Sequence, residues 1–135
     1  MKRFFAVLVL ALLTVSLLTA AAPVPQTTFT LLQGLPDTMN VGDVYTVRVQ
    51  IDSDQTFTSA SALPSFQYPG KGVVAIQGGD RFGSGTSAVL EVTFKAKSDT
   101  ARMEGGVAPV HVVVGARYVG GYVAVQDFVF YVLVP

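Results

Sequence analysis

Histidine occurs once, at His111, inside the run Pro-Val-His-Val-Val-Val. General-base or triad chemistry needs a nucleophile and an orienting carboxylate positioned with the imidazole, and the sequence sets no such arrangement beside it. A zinc site built on one histidine needs several carboxylates converging on it. His111 is therefore read as structural, packed against an aromatic ring or exposed on a strand face. Asp52 and Asp54, with Asp37 or Asp43 nearby, carry oxygen ligands of the kind calcium takes, but the calcium-loop pattern with its glycine and terminal glutamate is missing. An Asp-Ser-Asp turn whose side chains bond the local backbone accounts for them instead. The glycine-rich stretch Gly78 to Gly85 lacks the Lys-Ser or Lys-Thr ending and following helix of a phosphate cradle, so it reads as a flexible connection. The nine acidic residues are scattered, with no evident pair to flank a glycosidic bond. No catalytic residue, metal ligand or cofactor site is assigned, and a non-enzyme is expected.

Surface recognition is the chemistry left. Tyr118 and Tyr122 flank Gly120-Gly121 with Arg117 beside them, and aromatics on a loop tip stack on sugars or anchor a protein interface. The absence of tryptophan weighs against a carbohydrate ligand. Phe128 to Val134, which includes Tyr131, is apolar on both faces, whereas a sheet strand with one wet face alternates. Such a strand either joins another subunit by edge pairing or strand exchange, or sits centrally under covering loops. Arg117, Tyr118, Tyr122 and Tyr131 are the candidate partner-binding residues.

These positions depend on strands. In Val44 to Asp52, Tyr45, Val47, Val49 and Ile51 alternate with Thr46, Arg48 and Gln50, the pattern of a half-buried strand that needs a second apolar sheet to cover it. From Ala88 to Lys97, Leu90, Val92, Phe94 and Ala96 face one way while Glu91, Thr93, Lys95 and Lys97 face the other. Thr27 to Leu32 is β-prone and ends at Gly34 and Pro36. Val41-Gly42-Asp43 and Asp52-Ser53-Asp54 supply turns on either side of the central strand. Phe57 to Ala62 is weakly patterned. Around Pro64, Pro69, Gly70 and Gly72, Ser65 to Tyr68 and Val73 to Gln77 are short strand candidates. Ser98 to Gly106 is polar, ends in two glycines and reads as a connection rather than a helix.

Val110 to Val119 and Tyr122 to Val134 form a hairpin about Gly120-Gly121, since a tight turn needs positive φ. A strict two-residue turn pairs Val114 with Asp127 and His111 with Phe130. That puts Asp127 on the face of Val110, Val112 and Val114, where an unpaired carboxylate is costly. A bulge near Gly115, Gln126 or Asp127 is predicted, turning Phe128, Phe130 and Val132 into the core. The fold expected is all-β, an antiparallel two-sheet immunoglobulin-like β-sandwich of seven or eight strands; a jelly roll or small barrel is the next candidate.

The chain's start predicts where it goes. Met1-Lys2-Arg3 leads into an apolar core from Phe4 to Leu18, 15 residues, short for a membrane span of about 20. This is a secretory signal peptide, residues 1–21, with Thr19 and Ala21 at the positions that must be small for cleavage after Ala21. Residues 22–26, with Pro23 and Pro25, form an extended leader, and residues 27–135 form one domain. Cleavage takes the chain from 135 to 114 residues, and its basic residues from 9 to 7 against 9 acidic ones. Scattered basic residues and a net negative charge argue against nucleic acid as a partner. The chain meets a membrane only through the signal peptide during export. It has no cysteine, so the fold stands on its core alone, without disulfides, thiol lipidation or thiolate metal sites.

Val41-Gly42-Asp43-Val44-Tyr45-Thr46-Val47-Arg48-Val49, followed by Leu90-Glu91-Val92-Thr93-Phe94-Lys95-Ala96, resembles the opening and middle strands of bacterial extracellular immunoglobulin-like modules, cohesins among them. Where cohesins carry a Tyr-Asp step this chain has Tyr68-Pro69, and no functional residue is carried over. The resemblance implies adhesion, scaffolding or assembly at the cell surface, with a protein partner or a second copy, and no catalysis. A carbohydrate-binding module or accessory subunit of an extracellular enzyme system, with polysaccharide as ligand, is the alternative.

Overall fold

The computed structural model describes residues 23–66 and 71–135. The predicted signal peptide, Ala22 and the segment 67–70, which holds the end of one strand candidate and the Tyr68-Pro69 step, lie outside the described residues. Eight strands follow in order: β1 Thr27–Gln33, β2 Val44–Phe57, β3 Ser59–Phe66, β4 Val73–Ala75, β5 Asp80–Phe82, β6 Gly85–Ala96, β7 Ala108–Arg117 and β8 Val123–Val132. They form two four-stranded antiparallel sheets, β1-β2-β6-β4 and β5-β3-β7-β8. The expected all-β, two-sheet antiparallel architecture is what the chain adopts.

Alternation explains the layers. On β2, Val47, Val49 and Ile51 are buried opposite Val92, Leu90 and Ala88 of β6, while Tyr45, near the start of the strand, stays partly exposed. The other sheet answers with Ala60 and Ala62 of β3 and Val110, Val112, Val114 and Ala116 of β7, all in one core cluster. Each fully buried valine or leucine contributes about 1.5–3 kcal/mol relative to exposure, which is how a chain without cysteine holds two sheets together.

The hairpin corrects the predicted bulge. The β7–β8 ladder runs without interruption from Arg117↔Val123 through Gly115↔Val125 and Val113↔Asp127 to Ala108↔Val132. The extra residue sits in the turn: Tyr118 N donates to Tyr122 O, leaving Val119, Gly120 and Gly121 as a three-residue connection in which both glycines take positive φ, 90° and 89°. One more turn residue shifts the register by one and moves Asp127 to the outer face. Phe128, Phe130 and Val132 still turn inward, by the turn and not by a bulge.

Three other expectations change. Asp52-Ser53-Asp54 is no turn: β2 continues to the buried Phe57, with a register shift against β6 between Asp52 and Phe57. The aspartates are used along the strand, Asp52 Oδ1 accepting from Ser87 Oγ at 2.9 Å and Asp54 Oδ1 from Gln26 N at 2.8 Å. Gly78 to Gly85 contains β5, pinned to the facing sheet by Asp80 Oδ2, which accepts from Glu91 N at 2.9 Å. β3 runs through Pro64, tolerated because β5 ends at Ala62↔Asp80 and leaves no ladder there for the missing N–H. Between Ser98 and Gly106 there is one 3-10 turn, Glu104–Gly106.

The chain crosses from the first sheet to the second after β1. A Cβ at Gly34 would stand 2.8 Å from Phe130 Cε1, so a larger residue there requires the Phe130 ring to shift. Beyond the crossing, Leu133 N donates to Asp37 O at 2.8 Å and Met39 N to Leu133 O at 3.0 Å, a parallel bridge at the C-terminal end of β8.

Candidate functional site

Tyr118 and Tyr122 stand close at the hairpin tip, their rings 5.9 Å apart, yet differ in role. Tyr118 is only 5% exposed. Its hydroxyl lies 2.6 Å from Thr27 Oγ1 and 2.8 Å from Ser53 Oγ, tying the hairpin to β1 and β2. A buried phenol needs such partners, and with its ring inside it offers no face for stacking. Tyr122 is 43% exposed, and the neighbouring Val119 is 86% exposed. With Pro23, Pro25, Gln55 and Thr56 they line a groove of about 500 Å³, into which the leader is drawn by Gln55 Nε2 donating to Pro23 O at 3.0 Å. Arg117 is exposed at the end of β7 and its carbonyl accepts from Thr58 N at 2.7 Å.

His111 lies on the outer face of β7 with Nδ1 2.8 Å from Asp127 Oδ2. The orienting carboxylate absent from its sequence neighbourhood comes from β8, one diagonal step across the ladder. Ser65 stands opposite His111 on β3, and the hydrogen bond of the imidazole goes to Asp127 rather than to the Ser65 hydroxyl. A His-Asp pair without an attached nucleophile, on an open sheet face, lacks the parts of a triad. Among the described residues, no three His, Cys, Asp or Glu side chains gather to hold a metal ion.

The C-terminal strand decides between its two expected placements. β8 is the edge of its sheet, not a central strand. Of its outer-face residues, Val125 is 60% and Tyr131 63% exposed, and Val123 and Val129 are also exposed. The backbone of that edge can be followed from Leu133, whose N–H and C=O both point away from β7 into the parallel bridge. In an antiparallel ladder, residues alternate between bonding the neighbour and bonding outward. Val123, Val125, Asp127, Val129 and Tyr131 therefore also direct their N–H and C=O groups outward, where no strand of the described residues pairs with them. The window is closed at one end by the 37–39 segment and at the other by the turn.

Edges of this kind are usually kept short, bulged, charged or proline-capped. β4 and β5 have three residues each, and β1 is broken by a register shift between Leu31 and Gln33. β8 has ten residues in regular register, no proline and one charge, Asp127. Beside it a groove of about 620 Å³ separates it from the leader and the start of β1, lined by Gln26, Thr27, Phe29 and Tyr122 to Gln126 with no charged side chain. Composition alone could mark β8 as apolar; its edge position depends on strand order, which no local pattern encodes. No protein-family model matches the chain, and no curated protein matches it.

Proposed function

We propose that the chain is an exported, non-catalytic module of immunoglobulin-like arrangement that acts by protein–protein association, in adhesion, scaffolding or assembly at the cell surface. The supporting observation is the β8 edge, ten residues long and regular, with five successive outward-bonding positions that no strand of the described residues pairs, and apolar side chains around them. Strand addition uses such an edge directly: the backbone supplies affinity and alternate side chains supply selectivity. Export rests on the signal peptide read at residues 1–21, and the cohesin-like strand pattern accords with a cell-surface role.

The experiment is titration of the domain with a nine-residue strand peptide of alternating valine and threonine, flanked by lysines for solubility, followed by fluorescence anisotropy. Saturable binding to the natural domain and its loss in Val125→Pro is the expected result. At position 125 proline removes an outward N–H and spares the bonds to β7, so the fold is retained. Peptide binding unaffected by Val125→Pro, or no binding at all, overturns the reading.

A second reading, glycan binding at the hairpin tip, is favoured by Tyr122 and the groove it shares with Pro23, Gln55 and Thr56. Calorimetry with oligosaccharides checks it: heat of binding that disappears in Tyr122→Ala supports this site.

A further inference from the structure

The strand that fills the β8 edge can be named further, on the premise that this edge is the association site. We infer that it is β8 of a second copy of the chain, paired antiparallel about a twofold axis at Asp127. The five outward-bonding residues, Val123, Val125, Asp127, Val129 and Tyr131, are symmetric about residue 127. A twofold axis there sets every outward N–H and C=O of one copy against an outward group of the other, so each residue meets a partner of the right parity. Val123 pairs with Tyr131 of the second copy and Val125 with Val129, apolar against apolar on the outer face.

The open window also has the length this pairing needs. At one end the parallel bridge at Leu133 blocks further pairing, and at the other the turn begins at Tyr122. Moving the axis by one residue sets one of the five positions on each copy, Tyr131 or Val123, against the turn or the bridge. Phe128 and Phe130, inward-facing yet only partly buried at this open side, gain cover from the incoming strand.

The axial position carries one cost. Asp127 meets Asp127 of the second copy, and like charges directly opposite in a ladder are unfavourable. Each carboxylate keeps its hydrogen bond to its own His111 at 2.8 Å, and a single exposed like-charge pair weighs less than the backbone bonds lost by a shifted register. The pairing closes as a dimer. It joins two four-stranded sheets into one of eight, whose remaining ends are the three-residue β5 edges, too short to propagate a fibre.

Sedimentation equilibrium of residues 22–135 over a concentration series tests the inference, with Val125→Pro and Asp127→Asn alongside. The natural chain is expected to form a dimer and no larger species. Val125→Pro weakens dimerisation at least tenfold while keeping its circular dichroism spectrum and melting transition, and Asp127→Asn tightens it about threefold by removing the axial repulsion. A dimer unaffected by Val125→Pro lies elsewhere on the molecule and overturns the inference. A monomer at every concentration overturns it too; if that monomer still binds the lysine-flanked peptide through an edge sensitive to Val125→Pro, the association site stands and the second copy is the wrong partner. Monomer without peptide binding removes both.

Discussion

The outer faces of the two sheets differ, although their strands are built from the same alternation. On the β1-β2-β6-β4 sheet, polar residues meet across the ladder. Thr46 and Thr93 share a hydroxyl hydrogen bond at 2.9 Å, Arg48 and Glu91 an ion pair at 2.8 Å, and Ser87 donates to Asp52 at 2.9 Å. On the β5-β3-β7-β8 sheet, the corresponding rows pair Pro109 with Tyr131, His111 with Val129, Val113 with Asp127 and Gly115 with Val125. There, one diagonal pair, His111 with Asp127, supplies the polar contact. The first face satisfies itself and tolerates water. The second leaves valines and a tyrosine in solvent beside an edge that no strand of the described residues pairs, the feature from which association is proposed.

The inner faces bound the comparison, and the largest effect is expected there. Phe94 of β6 is fully buried, whereas Phe130 of β8 lies at the open side and is only partly covered. Phe94→Ala is expected to cost about 3–5 kcal/mol, the range for truncating a core aromatic. Phe130→Ala should cost about half as much, because part of its ring already faces solvent. Urea denaturation at low protein concentration, where a dimer dissociates, checks both. Equal losses would mean that the β8 side is as closed as the β6 side, and the contrast between the sheets would fail at its root.

Much of the fold was readable because alternation is a local property. Val47, Val49 and Ile51 on one strand and Leu90, Val92, Phe94 and Ala96 on another announced their buried faces, and the structure buries them. What was not readable depended on non-local pairing. Asp52-Ser53-Asp54 has turn residues in every position, yet Gln26 of the leader and Ser87 of β6 satisfy its carboxylates and the extended backbone continues. Asp80 inside a glycine-rich stretch makes a strand because its carboxylate reaches the backbone of Glu91 on the facing sheet. At the hairpin, the misplaced carboxylate of Asp127 correctly signalled that the simplest register was wrong. Its position could not say whether one extra residue lay in the strand or in the turn, since either restores the same faces. Tyr118 and Tyr122 looked alike beside the same glycines, and only the hydroxyls of Thr27 and Ser53, distant in sequence, separate a buried brace from a surface ring.

Charge placed on each outer face sharpens the contrast with a smaller effect. Lysine at Val125 and Val129 puts two ammonium groups beside the open edge, and association is expected to weaken at least tenfold, equivalent to about 1.4 kcal/mol. Lysine at Val89 and Thr93, on the other sheet's outer face, should leave association unchanged. All four positions are on outer faces, so the melting temperature of each double variant serves as the control for folding. A loss of association in the Val89 and Thr93 variant would place the interface on the polar face and reverse the comparison.

The smallest effect concerns what the polar face contributes to its own sheet. Arg48 and Glu91 are directly opposite across β2 and β6, with side chains 45% and 52% exposed. Water competes for both groups, and holding two long side chains in one geometry costs rotamer freedom, so a double-mutant cycle with alanine should return a coupling of about 0.2–1 kcal/mol. Raising salt should reduce it, since exposed charges are screened over about 10 Å at 0.1 M ionic strength. A coupling this small means that the polar rows keep one sheet face wet and its strands in register without supplying much of the stability. That burden falls on the shared core. The second face can then give up its polar rows for apolar contact at little cost to folding, which is what the proposed pairing at the β8 edge requires.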